Sequence, residues 1–138
     1  MEMLLIPKES YVMSGKVCFL DTNAIIALLQ GNKQIIKYLH DAQWIGISVI
    51  SQIEFLVFPN LTDDDKNIFK QFIQRIDVVD LSSKQEELIE IIIKLRQQYN
   101  LKLPDVIIAA TAILYNADLI TFDNQFHRIK ELNVIDFS

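Results

Sequence analysis

The apolar runs of this chain are short, unbroken and closed by helix-capping residues. Val17-Cys18-Phe19-Leu20 ends at Asp21-Thr22-Asn23, and a helical segment follows over Ala24–Gln30 until Gly31. A run without polar alternation suits a strand buried on both faces, as in a parallel sheet covered by helices. Asp, Thr and Asn carry side chains that accept the first free amides of a helix, and Gly tolerates the left-handed turn that ends one. Each such unit is therefore one strand-to-helix step.

The step recurs. Lys33–His40 predicts a short helix with Ile35, Ile36 and Leu39 on one face. Ile45–Ile50 predicts a second buried strand, with Ser51 opening a helix that Pro59 stops. Thr62 is placed to cap a helix reaching Ile76, with Ile68, Phe69, Phe72 and Ile73 inward. Val78-Val79 is a minor strand, and Ser82 or Ser83 starts a long helix striped by Leu88, Ile91, Ile92 and Leu95. Pro104 sits where the next helix begins. Asp118–Thr121 and Val134-Ile135 are the last strands, with a turn and short helix over Phe122–Ile129 between them. Strands alternating with helices predict an α/β fold, a three-layer α/β/α sandwich on a mostly parallel sheet.

Composition narrows the class. At 138 residues the chain is one domain's length, read as 16–138, preceded by an N-terminal extension over 1–15 with no clear period. Met13 offers a second possible start. With 51% hydrophobic residues and three glycines, neither a disordered chain nor a many-turned all-β fold is expected. The single cysteine, Cys18, excludes an internal disulfide framework and a multi-thiolate zinc site. No stretch resembles a secretory leader or the roughly 20 apolar residues of a membrane span, so a cytoplasmic protein without a membrane partner is expected. The net charge of −5 means that a nucleic-acid role would need a local patch, a metal or a basic partner. A mean hydropathy of +0.23 suggests apolar surface covered by a partner.

Four carboxylates fall where this architecture gathers ligands. Asp21 and Asp123 each follow a strand, and Glu54 and Asp105 each lie early in a helix. In an open parallel sheet the carboxyl ends of strands form the binding edge. Each acid also has a plainer reading. Asp21 caps a helix, Ser51-Gln52-Ile53-Glu54 matches a capping box, Asp105 meets a helix dipole, and Asp123 is a turn residue. If the acids converge, their mutual repulsion calls for a counter-charge. A set of oxygen ligands without His or Cys suits Mg²⁺ or Mn²⁺, which can bind a phosphodiester, activate water and stabilise a leaving oxyanion.

The segments carrying these acids resemble the motifs of PIN-domain ribonucleases. Phe19–Ile26 is similar to the opening motif, Ile47–Glu54 to the second, Leu103–Ala112 to the third and Leu119–Phe126 to the fourth. They occur in the family order, and the helix pattern looks most like the VapC toxins of bacterial toxin–antitoxin pairs. The resemblance implies Mg²⁺- or Mn²⁺-dependent cleavage of RNA, a homodimer, and neutralisation by a small antitoxin that places an Arg or Lys over the site. By motif match Asp21, Glu54, Asp105 and Asp123 are the catalytic metal-binding acids. Asp21 and Asp105 would hold the principal metal, Glu54 would complete the shell, and Asp123 would assist a second. Thr22, Asn23, Ser51 and Thr121 match supporting polar positions.

RNA would also need cations. His127, Arg128 and Lys130 form a basic cluster beside Asp123, and Lys33 and Lys37 lie one helical turn apart; each set is either a phosphate clamp or a solvated helix face. His40 and His127 are expected at the surface rather than as general bases. Trp44, Tyr38 and Phe58 are expected in the core or an interface. Two other readings stay open, a house-keeping PIN nuclease without an antitoxin and a degenerate module that binds RNA or a partner. A phosphoaspartate phosphatase is disfavoured, because the residue two after Asp21 is Asn23 rather than a second acid.

Overall fold

The computed structural model describes residues 15–138; the expectations for an N-terminal extension and for a start at Met13 lie outside the described residues. Its strands are β1 (Lys16–Leu20), β2 (Ala42–Ser48), β3 (Asp77–Val79), β4 (Asp118–Ile120) and β5 (Asn133–Ile135). Its helices are α1 (Thr22–Leu29), α2 (Lys33–Leu39), α3 (Val49–Leu56), α4 (Asp63–Ile73), α5 (Glu86–Gln98) and α6 (Leu103–Leu114), with a 3₁₀ turn over Asn124–Arg128. The five strands lie in the order β3-β2-β1-β4-β5. Among the described residues every pairing is parallel, wholly rather than mostly.

Alternation along β1 assigns the two layers. Cys18 and Leu20 join Ile45, Ile47 and Ile120 under α1, α2 and α4, with Ile25, Leu28, Ile35, Leu39, Phe69 and Phe72 inward. Phe19 and Leu119 face the other way, under Leu88, Ile92 and Leu95 of α5 and Val106–Ala110 of α6. The result is the expected α/β/α sandwich. Burial pushes the Cys18 thiol up to about 12, which leaves it an inert core group.

Trp44 is partly buried and packs against the core. Its ring stacks between Phe19 at 6.2 Å and Tyr115 at 4.9 Å, and its indole N–H donates to Asp77 over 2.6 Å. The ring lies across Gly46, where an added Cβ would come within 2.1 Å of it, so the position has no room for a side chain. Tyr38 is half-buried and its hydroxyl donates to Asp118 over 2.6 Å. Phe58, by contrast, is 41% exposed.

Several boundaries depart from the sequence reading. β2 ends at Ser48 rather than Ile50, because the Ser48 hydroxyl accepts from the Ile50 amide and starts α3 there. Ser51 is thus a buried helical residue, not a cap. α5 begins at Glu86, since Ser82–Gln85 forms a turn in which the Gln85 side chain accepts from the Ser82 amide. Ile68 faces outward and is 39% exposed. Thr62 caps α4 as expected, in a reciprocal box with Asp65. Among the described residues no helix is long and apolar enough to cross a membrane.

Candidate metal-binding active site

The strand order reverses at β1, which has β2 on one side and β4 on the other. Chains leaving neighbouring strands there diverge to opposite faces and open a crevice at the carboxyl edge, where ligands of such sheets bind. Asp21 leaves β1 at this point, and Thr121 and Asp123 leave β4.

Asp21 is 4% exposed and caps α1, its Oδ1 accepting from the Ala24 amide over 2.8 Å. Its Oδ2 accepts from the Thr121 hydroxyl, which is itself buried and accepts in turn from the Asp123 amide over 2.9 Å. One hydroxyl therefore locks the orientation of Asp21 and the backbone of Asp123 together. Burial drives the Asp21 carboxyl up to about 6, against these two hydrogen bonds and with help from the charges of Asp123 and Asp105.

Glu54 lies in the second turn of α3, beyond reach of a cap, so the capping-box reading of Ser51 and Glu54 does not hold. Its Oε1 accepts instead from the hydroxyl of Thr22, the first residue of α1, over 2.6 Å. Asp105 is the third residue of α6, with Pro104 before it fixing the first turn. Burial, then Asp123 and Glu54, push its carboxyl up, and Lys102 opposes them. Asp123 caps the 3₁₀ turn through the Gln125 amide at 2.9 Å.

All four acids line one pocket of about 330 Å³, together with Thr22, Asn23 and the apolar Val57, Phe58, Pro59 and Ile108. The structure thus brings together Asp21, Glu54, Asp105 and Asp123; Thr22 bonds Glu54, Thr121 bonds Asp21, and Asn23 lines the pocket without a bond to an acid among the described residues. Ser51 is not at the surface of this pocket; it is buried in α3 and its hydroxyl lacks a hydrogen-bond partner among the described residues. Lys33 and Lys37 line a separate basin with Lys16, Tyr38, His40, Asp41 and Phe137. His127 is exposed and bonded to Asp136 at 3.1 Å. Arg128 and Lys130 are exposed and do not line the acid pocket.

The donor set fits a hard divalent cation. It is all oxygen, and two of its members hold raised pKa values amid like charge. Each oxygen of Asp21 accepts one protein hydrogen bond and retains a lone pair for an ion. Among the described residues no three acid, imidazole or thiol groups already stand at chelating range. Asp21, Glu54 and Asp123 each accept a hydrogen bond from a local donor.

Sequence reasoning missed the apolar wall that Val57, Pro59 and Ile108 give the pocket. It also missed Phe58 as a pocket wall.

Comparison with solved structures finds the same fold in toxin–antitoxin assemblies. A toxin–antitoxin complex from Klebsiella pneumoniae is 29% identical with a TM-score of 0.69, covering 86% of this chain and 95% of that one. VapBC-1 from nontypeable Haemophilus influenzae is 24% identical with a TM-score of 0.70, covering 87% and 97%. VapBC2 from Rickettsia felis, bound to a DNA fragment from its promoter, is 23% identical with a TM-score of 0.68, covering 88% and 99%. Comparison with curated proteins gives no match. The PIN domain family matches residues 18–132, a span holding all four pocket acids, and the chain belongs to that family.

Proposed function

We propose that the chain is a divalent-metal-dependent endoribonuclease acting in the cytoplasm as the toxin of a toxin–antitoxin pair. The observation that carries the reading is one pocket at the sheet's switch point lined by four carboxylates from four separate segments. Asp21, Glu54, Asp105 and Asp123 would hold Mg²⁺ or Mn²⁺, with Asp21 and Asp105 as the principal ligands. Such an ion supplies positive charge for a phosphodiester and a means of activating water. The chain's own groups do the positioning. Thr121 and the Ala24 amide fix Asp21, Thr22 fixes one oxygen of Glu54, and the Gln125 amide fixes Asp123.

The partner reading has separate support. An apolar groove of about 310 Å³ adjoins the pocket, lined by Ile26, Leu29, Phe55, Phe58, Leu61 and Ile68. Exposed Ile53, Leu56 and Val57 extend the apolar surface of α3 and its C-terminal end. Large contiguous apolar surface marks a protein interface. Three structural neighbours are toxin–antitoxin or VapBC assemblies, which favours an antitoxin as the occupant. A homodimer is proposed as the toxin's own state.

Cleavage of defined tRNAs and mRNAs, with Mn²⁺ or with EDTA, tests the activity. The wild type should cut only with metal, and Asp105→Asn should lose activity by 100-fold or more, on the order of one removed charge at a reacting centre. Metal-independent cleavage, or an equally active Asp105→Asn, refutes the mechanism.

A further inference from the structure

Among the described residues no Lys, Arg or His lines the acid pocket, so the chain brings no cation of its own to that wall. Cations gather elsewhere. A basin of about 1320 Å³ opens where β1 begins, at the sheet edge opposite the acids, and Lys16, Lys33 and Lys37 line it. Its volume exceeds the roughly 300–1,000 Å³ of a small-molecule pocket, which suits an extended occupant.

The floor of the basin is held by specific contacts. The Tyr38 hydroxyl donates to Asp118 over 2.6 Å, and the Phe137 ring meets the Tyr38 ring edge to face with centroids 5.7 Å apart. The Lys16 ammonium lies 4.1 Å from the centre of the Tyr38 ring and pairs with Asp41 at 3.4 Å, which cancels the carboxylate that lines the basin. Lys33 and Lys37 remain. Both are exposed and one turn apart on α2, and among the described residues neither has a carboxylate partner. Lys37, in the last turn, suits the helix dipole, but Lys33, at the first helical position, works against it. Two uncompensated positive charges therefore face a concavity that also presents the half-buried Phe137.

We propose that this basin is a second RNA-binding site, gripping a single-stranded stretch of the substrate away from the point of cleavage. RNA as the ligand rests on the nuclease reading above. Lys33 and Lys37 would each meet a phosphate, their Cβ atoms about 5–6 Å apart as in any i, i+4 pair. Phe137 would offer its ring to a base. Cations beside an aromatic ring favour a nucleic acid over an acidic polypeptide, because every nucleotide carries both a charge and a π-face. β1 is five residues long, about 17 Å. A strand of on the order of five stacked nucleotides or more would span from the basin to the acids. Placing the grip there lets a chain of net charge −5 hold a polyanion without setting a cation among the carboxylates.

Anisotropy of a fluorescein-labelled single-stranded RNA of about 20 nucleotides, with Ca²⁺ in place of Mn²⁺, reads the grip without turnover. Lys33→Ala/Lys37→Ala should weaken binding about tenfold and flatten the slope of log Kd against log salt by about 1.4 over about 50–200 mM KCl, twice the value for one phosphate on a single strand. Lys33→Arg/Lys37→Arg should keep both at the wild-type level. Phe137→Leu, which leaves an apolar side chain against Tyr38, should weaken RNA about fivefold and leave inorganic polyphosphate unchanged. In cleavage of bulk tRNA with saturating Mn²⁺, the double alanine variant should raise KM and hold kcat within about twofold. Unchanged affinity and salt slope in that variant overturns the proposal and leaves the nuclease reading standing. So does Phe137→Leu weakening neither polyanion or both alike, which would make the basin a general anion surface, or poly-glutamate binding more tightly than RNA, which would make it the seat of an acidic protein. If the wild type cuts no RNA while the double alanine variant loses RNA binding, the nuclease reading falls and the basin stands.

Discussion

Asp21 is asked to stay ionised in a place that opposes ionisation. Its carboxyl is buried and its pKa stands at about 6 instead of 3.8. The folded state then binds a proton that the unfolded state has released, so metal-free stability falls as pH rises from about 4 through 6. The loss is on the order of 3 kcal/mol, a large part of a small domain's total. A divalent ion should return it, because binding to the folded state alone adds stability by mass action. Thermal unfolding in EDTA should therefore give a lower Tm at pH 7.5 than at pH 5. Added Mn²⁺ should raise the Tm at pH 7.5 and have little effect at pH 5. Asp21→Asn should flatten the metal-free pH dependence and abolish the metal response. Metal-free stability that climbs from pH 5 to 7.5 would contradict this account of the pocket. The same conflict shows why the acid was legible while its state was not. Asp after Val17–Leu20 is visible in the sequence, but its ionisation is set first by burial, with Thr121, a hundred residues away, opposing.

Helix boundaries decide which polar groups are free to act. The run Ile45–Ile50 contains Ser48, but Ile47, Val49 and Ile50 flank it with apolar residues, so the run reads as one strand and Ser51 as the cap after it. In the structure Ser48 intervenes, and that shift of three residues moves Glu54 from a capping position to one where Thr22 claims it. Elements closed by strong local chemistry were read correctly. Asp21 caps α1, Gly31 follows it at φ +91°, and Thr62 closes α4 with Asp65. Those closed by tertiary packing, such as the start of α5, were not. The two serines provide a direct check. Ser48→Ala should cost about 1 kcal/mol, the usual loss of an N-cap. Ser51→Ala should be neutral or slightly stabilising, since it removes a buried hydroxyl without a partner. Urea unfolding midpoints should rank Ser51→Ala at or above wild type and Ser48→Ala below it. The reverse order would restore Ser51 as the cap.

At the scale of the molecule, chain direction sorts what the sequence could not. In a parallel sheet every strand ends at the same edge, so acids read as following strands converge there without further information. Lysines on helices carry no such guarantee. α1 starts at that edge and runs back from it, so Lys33 and Lys37 on α2 share a basin with Lys16, which opens β1 at the opposite edge. Part of the apolar surface that the hydropathy implies would need a cover is gathered: Ile53 and Leu56 on α3, Val57 and Phe58 just after it, and Ile68 on α4. Ile68 turns out of α4 into the groove that shares Phe58 and Pro59 with the acid pocket. A partner seated in that groove would stand over the pocket's rim, so binding and inhibition should be one event. Ile68 is not among the residues lining the acid pocket, which lets the two functions be separated. Ile68→Glu should leave RNA cleavage within about twofold of wild type, as an exposed substitution away from the site. It should weaken capture and inhibition by the product of an adjoining short reading frame by about tenfold or more, as burying an unpaired charge in an apolar interface does. Co-purification and growth on co-expression would measure both. Full inhibition of Ile68→Glu would place the antitoxin on some other face and leave the groove without its occupant.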